Sequence, residues 1–274
     1  MQVLKQSFAF YVFGNIHVAV AAYCLTKISF LQFDITNQPL ANFVFFSTLL
    51  SYNFIRWFQL DKLNSMTSIW IRAHKRSLIV LNSLALIGSV YYLLNFRFAD
   101  IILLIPFFLA TFFYAFPFKK RTTGLRNVPG LKLFLISITW TGITLYLPLF
   151  SAQIHFSHFE YIAIAQRFLF VLAITIPFDI RDAQFDLPGL NTIPQVLGVN
   201  RSKIIAALAL VIVMLLDTLI PYKGSNFFSI NLLIMVLSII MISFSGTKRG
   251  RFYTAFWIEA LPILWYLFYL LLIN

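Results

Sequence analysis

The sequence predicts an all-α integral membrane bundle of about nine transmembrane helices, with residues 1–274 forming one domain. Three observations predict it: the composition, the spacing of the apolar runs, and the side on which the basic residues fall. Of 274 residues, 60% are hydrophobic and 11% charged. A soluble domain carries about 25% charged residues, so this chain has too few polar groups to cover a globule and must use lipid as part of its solvent. Phe alone occurs 32 times, and it suits lipid-facing surface and apolar cavities equally. The single cysteine, Cys24, excludes an intrachain disulfide framework.

A span through lipid needs roughly 20 apolar residues. Such runs lie near 7–29, 37–55, 77–95, 99–118, 132–151, 159–178, 203–222, 227–245 and 252–273. The first is interrupted by Asn15 and His17. It continues past Ala19-Val20-Ala21, a sequence that could end a signal peptide, as far as Phe30, and is expected to be retained as a span. Pro106, Pro148 and Pro262 fall inside spans, where each removes a helix hydrogen bond and invites a kink. Glu259 interrupts the ninth, and an ionisable group within a span is a functional candidate by default. Asp217 lies near the end of the seventh and is expected to reach water.

The connections alternate. Those after the second, fourth, sixth and eighth spans are basic, and those after the odd-numbered spans nearly lack Lys and Arg. Of the 21 Lys and Arg residues, all but Lys27, Arg97, Arg167 and Lys223 fall on one side. The positive-inside rule then places the N-terminus and the even-numbered loops in the cytoplasm, as expected of a multi-pass protein of a cell (inner) membrane. The net charge of +12 therefore reads as topology and as attraction to anionic lipid headgroups or an anionic substrate. It gives no ground for a nucleic-acid partner, since the basic residues lie between spans. The sequence leaves the oligomeric state open.

Chemistry concentrates at the end of the sixth span. The chain has nine carboxylates in all, and Asp179, Asp182 and Asp186 stand at i, i+3 and i+7, a spacing that keeps side chains on one helix face. Three like charges on one face repel unless a cation sits among them. The competing reading is a solvated acidic loop. Carboxylates so spaced suit a hard cation such as Mg²⁺, which takes one or two of them and completes its shell with water and substrate phosphate. No Cys/His cluster exists for a structural zinc, and His17, His74, His155 and His158 are scattered.

Asp179-x-x-Asp182-x-x-x-Asp186, followed by Gly189, Thr192-x-Pro194 and Gly198, resembles the second aspartate-rich motif of the UbiA-type intramembrane prenyltransferases. That family has nine transmembrane helices and carries this motif in the loop between the sixth and seventh. The resemblance implies a polyprenyl diphosphate as donor, bound through Mg²⁺ on two aspartate motifs, and a lipid-soluble acceptor, often an aromatic ring. The metal makes diphosphate a better leaving group, and an apolar cavity lined by rings shields the allylic cation. In this sequence Asp179, Asp182 and Asp186 then carry the catalytic and metal-binding role.

The family's first motif, Asn-Asp-x-x-Asp-x-x-x-Asp after the second span, is degenerate here. Asn53 and Asp61 match and are the expected metal ligands, whereas Phe54 and Trp57 stand where two carboxylates belong. Arg56 stands beside the lost carboxylates and could replace metal charge with a guanidinium fork on phosphate. Tyr114-Ala115-Phe116-Pro117-Phe118-Lys119-Lys120 resembles the family segment that contributes diphosphate contacts, which makes Tyr114, Lys119 and Lys120 binding candidates. Arg72, before the third span, is expected to act similarly. Two functions remain open at this point: a Mg²⁺-dependent prenyltransferase, and a non-catalytic relative that binds an isoprenoid lipid with part of the metal site gone.

Overall fold

The computed structural model describes residues 2–58, 66–115, 131–183, 192–222, 225–250 and 252–273. Among them every regular element is helical. The elements are α1 (Gln2–Phe13), α2 (Ile16–Phe33), α3 (Gln38–Phe58), α4 (Met66–Ala73), α5 (Lys75–Leu93), α6 (Phe98–Ala115), α7 (Leu131–Thr141), α8 (Leu147–Ser151), α9 (His158–Asp182), α10 (Ile193–Leu197), α11 (Val199–Asp217), α12 (Ser225–Ser243) and α13 (Leu261–Leu272). Among the described residues, seven helical stretches are long and apolar enough to cross a membrane. Helix α3 and the shorter apolar α6 stand at the positions of the second and fourth predicted spans.

Among the described residues, three spans are not single α-helices, and the sequence explains each. The first breaks between α1 and α2, where Asn15 takes a left-handed conformation with φ 62°. A Cβ on the neighbouring Gly14 would lie 2.6 Å from the Phe10 carbonyl oxygen, so the bend requires glycine there. The fifth and ninth each contain a π-helical turn, Gly142–Tyr146 and Tyr253–Ile258. Each turn is followed by a proline, Pro148 or Pro262, in the first turn of the next α-helix. Proline offers no N–H to the preceding turn, so the ladder is already broken where the helix widens.

Helix α9 is the longest, at 25 residues. It rises about 38 Å, against a hydrocarbon core of about 30 Å, so its last turns pass beyond the apolar layer. A capping box starts it: Ser157 N–H donates to Glu160 at 2.7 Å, and the Phe159 N–H donates to Ser157 Oγ at 3.2 Å. Its contacts run to α7 on one side and α11 on the other; α11 packs on α12, α12 on α13, α13 on α2, α2 on α3, and α6 bridges α3 and α7. The helices thus close around an interior. Phe170, Trp265 and Tyr269 pack edge-on in the core between α9 and α13. On α5, Val80, Leu84, Ile87 and Val90 are exposed, the pattern of a helix whose outer face meets lipid.

Candidate functional site

The interior holds a cavity of about 550 Å³, within the range of small-molecule sites. Its walls come mainly from α3, α6, α7 with the π-turn that follows it, α9 and the π-turn before α13, and most of them are apolar: Phe43, Ile55, Leu104, Phe107, Phe108, Ile136, Ile143, Val171 and Ile258 among others. Lining residues on α3 run from Phe43 to Arg56, so the cavity extends about 20 Å along that helix. Gly142 lets this wall form, because a Cβ there would lie 2.1 Å from the Phe107 ring.

Charge gathers at one end. Arg56, Lys132, Arg181, Asp182 and Glu259 all line the cavity. Asp182 is held by its neighbour: Arg181 donates through Nε and Nη2 to the two carboxylate oxygens at 2.8 and 3.0 Å. The third arm of Arg181 donates to Thr254 Oγ1 on the π-turn at 2.7 Å, and its guanidinium lies over the Phe178 ring. Asp179, one turn earlier, is only 1% exposed and is ion-paired with Lys132 of α7. Arg56 donates to the Phe13 carbonyl at 2.7 Å, tying α3 to the end of α1.

The predicted residues divide accordingly. Asp182 and Arg56 line the charged end of the cavity, and Asp179 lies behind it, joined to the lining through its ion pair with Lys132. Asn53 does not point there. It is buried, accepts from Asn15 Nδ2 at 2.7 Å and donates to the Gly14 carbonyl at 3.2 Å, so its amide clamps the bend of the first span. Arg72 is exposed on α4 and does not line the cavity. Asp61, Asp186, Lys119, Lys120 and the side chain of Tyr114 lie outside the described residues. Sequence reasoning counted Lys132 and Arg181 only as topology residues. A hint was present, since Lys132 starts one span and Asp179 ends the next, which brings both to the same end of adjacent antiparallel helices.

Among the described residues no group of three His, Cys, Asp or Glu side chains could hold a metal. Two carboxylates one turn apart, one of them facing the cavity, still fit an ion that needs only one or two protein oxygens.

Other polar groups prove structural. His17 donates through Nε2 to the Phe256 carbonyl and pairs through Nδ1 with the Tyr11 hydroxyl, both at 2.9 Å. Asp217, expected to reach water, is instead buried. It accepts from Tyr222 at 2.6 Å and from Gln166 and Asn231 at 3.0 Å. Arg167 is buried within the bundle. It donates to the Leu25 carbonyl at 2.9 Å, Thr144 Oγ1 at 3.1 Å and Ser29 Oγ at 3.2 Å.

This architecture matches solved structures. A UbiA homologue from Archaeoglobus fulgidus bound to GPP and Mg²⁺ superposes with a TM-score of 0.68, over 94% of this chain and 97% of that one, at 12% identity. The chain has the UbiA fold. A structure of a UbiA homologue from the same organism bound to DMAPP and Mg²⁺ gives a TM-score of 0.67 at 12% identity, over 94% of this chain and 96% of that one. A structure described as concerning digeranylgeranylglyceryl phosphate synthase in membranes gives 0.56 at 17% identity, over 99% and 97%. No family model matches the sequence, and no curated protein matches it significantly. At such identities the likeness is one of fold.

Proposed function

We propose that this protein transfers a prenyl group from a polyprenyl diphosphate to a lipid-soluble acceptor within the membrane, in a Mg²⁺-dependent reaction. The observation that carries the reading is the cavity: a long apolar interior, suited to an isoprenoid chain, that ends among Arg56, Lys132, Arg181 and Asp182. The UbiA fold supports it, since two structures sharing that fold were solved with a prenyl diphosphate and Mg²⁺.

The chain's own residues have definite parts in this scheme. Asp182 and Asp179 would hold the metal, with Asp186 and Asp61 completing the set that the motif resemblance implies. Mg²⁺, when bound, supplies Lewis-acid help to the departing diphosphate. Arg181 and Lys132 release the aspartates and turn to phosphate oxygens, which replaces intrachain ion pairs with charge-assisted bonds to the ligand. Arg56 adds a guanidinium on the α3 side, where the first motif has lost two carboxylates. Lys119, Lys120 and Tyr114 are further candidates from the sequence. The apolar walls hold the prenyl chain and keep water from the allylic cation, and their ring faces favour that cation. The charged end faces the cytoplasm of a cell (inner) membrane under the positive-inside reading, and residues 1–274 act as one domain.

A specific observation favours a second reading. Asp179 and Asp182 are already neutralised by Lys132 and Arg181, and the Asn53 amide is committed to a helix bend. A protein so arranged could bind an isoprenoid diphosphate through fixed cations without cleaving it. The two readings separate in lipid nanodiscs. Diphosphate release and prenylated product are measured with geranyl, farnesyl and geranylgeranyl diphosphates against a panel of lipid-soluble aromatic acceptors, with Mg²⁺ or with EDTA. Metal-dependent release supports transfer. Tight binding of all three donors with no release in either condition supports the binding reading.

A further inference from the structure

Glu259 is the one cavity-lining acid, among the described residues, that the metal and diphosphate scheme leaves unused. It follows the π-turn Tyr253–Ile258, and its N–H reaches back five residues to the Thr254 carbonyl at 3.3 Å. That widened turn faces Ala255, Ile258 and Glu259 into the cavity. The turn is anchored by the Arg181 bond to Thr254 at 2.7 Å, which fixes Glu259 relative to Asp182.

The other charged groups around the cavity all have partners. Asp182 has Arg181, Lys132 has Asp179, and Arg56 has the Phe13 carbonyl. The Glu259 carboxylate has no hydrogen bond and no ion pair among the described residues. The Arg56 and Arg181 guanidinium groups act on it only electrostatically. A carboxyl group in an apolar interior without a protein partner is costly, and one that faces an open cavity is a candidate to hydrogen-bond a ligand.

The neighbours limit what that ligand can be. A diphosphate would be repelled by the carboxylate and is better placed among the cations. A cationic ligand would meet Arg56 and Arg181. A neutral O–H group fits, because it gives a charge-assisted hydrogen bond without adding charge. We infer that Glu259 is an acceptor-binding residue: its carboxylate accepts a hydrogen bond from a hydroxyl of the apolar acceptor and thereby selects hydroxylated over non-hydroxylated acceptors. The inference rests on the prenyl-transfer reading for the word acceptor, while the hydroxyl preference can be measured without it.

The test uses the full-length protein in nanodiscs, with empty nanodiscs as the partition control. The probes are 1-naphthol and 1-methoxynaphthalene, which differ in the O–H donor. Wild-type protein is expected to bind the naphthol about 10-fold more tightly than the ether. Glu259→Leu, which cannot accept, should abolish that ratio. Glu259→Gln, which accepts without charge, should retain part of it and serves as the measurement if the Leu variant fails to fold. An unchanged ratio in both variants, or no preference in the wild type, overturns the inference. So does weakening of geranyl thiolodiphosphate binding in Glu259→Leu as great as in Arg56→Leu, because that places Glu259 in the diphosphate site. If geranyl thiolodiphosphate does not bind wild-type protein but the hydroxyl preference stands, the hydroxyl site is upheld and the prenyl-transfer reading falls instead.

Discussion

Two of the buried polar regions of the bundle differ in how completely their groups are paired. Around Asp217, at the far end of α11, the carboxylate receives Tyr222, Gln166 and Asn231, and Asn231 in turn accepts from Trp265 and Tyr269. Only a void of about 20 Å³ remains beside it, room for no more than a water. At the charged end of the cavity, whose open volume is about 550 Å³, Glu259 has no partner among the described residues, and the aspartates are held by cations that a phosphate could take over. A closed network specifies the packing of α9, α11, α12 and α13, whereas an open one is poised for a ligand. Buried charge alone therefore does not mark function in this chain; the difference lies in what the charge is bonded to.

The largest effect expected from testing this contrast is on stability. Asp217→Ala strands three buried donors and should lower unfolding stability by about 3 kcal/mol, measured by thermal unfolding in detergent. Binding of geranyl thiolodiphosphate should be unchanged in that variant. A loss of binding without a loss of stability would erase the contrast.

Arg56→Leu should do the reverse. Binding of the thiolodiphosphate is expected to weaken 10- to 100-fold, about 1.4–2.7 kcal/mol, in isothermal titration. Arg56→Lys should recover only part of this, since an ammonium cannot reproduce the guanidinium fork. Equal binding in Arg56→Leu and wild type would remove α3 from the diphosphate site.

A smaller effect sharpens the shape of the open region. Gly142→Ala would put a Cβ about where the Phe107 ring stands, and overpacking of this kind costs about 1–3 kcal/mol. Turning the ring inward shortens the cavity. Competition binding should show the geranylgeranyl analogue losing several-fold more affinity than the geranyl analogue. The same loss for both would place the Phe107 wall away from the chain terminus.

The smallest effect lies back in the closed region. Tyr222→Phe removes one bond to Asp217 and should cost about 1 kcal/mol in denaturant or thermal unfolding. No change would mean that Gln166 and Asn231 satisfy the carboxylate by themselves.

Much of the architecture was legible because lipid imposes long apolar runs, and the runs at 77–95 and 203–222 in the sequence correspond to α5 and α11. What periodicity could not reveal was the interior detail of a span. Gly14-Asn15 looks like a polar interruption in sequence and is a helix break in three dimensions. The π-turns before Pro148 and Pro262 alter register without altering composition. In the candidate site, Asp179 and Asp182 were legible as a cluster, because few acids occur and three fall together. Their pairing was less so: Arg181 is the sequence neighbour of Asp182, whereas Lys132 reaches Asp179 across an interhelical contact at which the span ends only hint. Asn53 shows the opposite failure: a matching residue in a matching position, whose amide the fold spends on the Gly14 bend. Asp217 misled for the same reason, because position near a span end suggests water and the donors that bury it come from α9, α12 and Tyr222.

The central claim is that Asp182 and its neighbours at the mouth of the apolar cavity bind a prenyl diphosphate together with Mg²⁺. It is tested most directly by titrating geranyl thiolodiphosphate into wild-type and Asp182→Asn protein in nanodiscs, with Mg²⁺ and with EDTA. The account predicts that Mg²⁺ tightens binding at least 10-fold in the wild type, and that this enhancement is lost in Asp182→Asn while the unfolding temperature stays unchanged. Binding that is indifferent to Mg²⁺, or a metal enhancement that survives in Asp182→Asn, would contradict it.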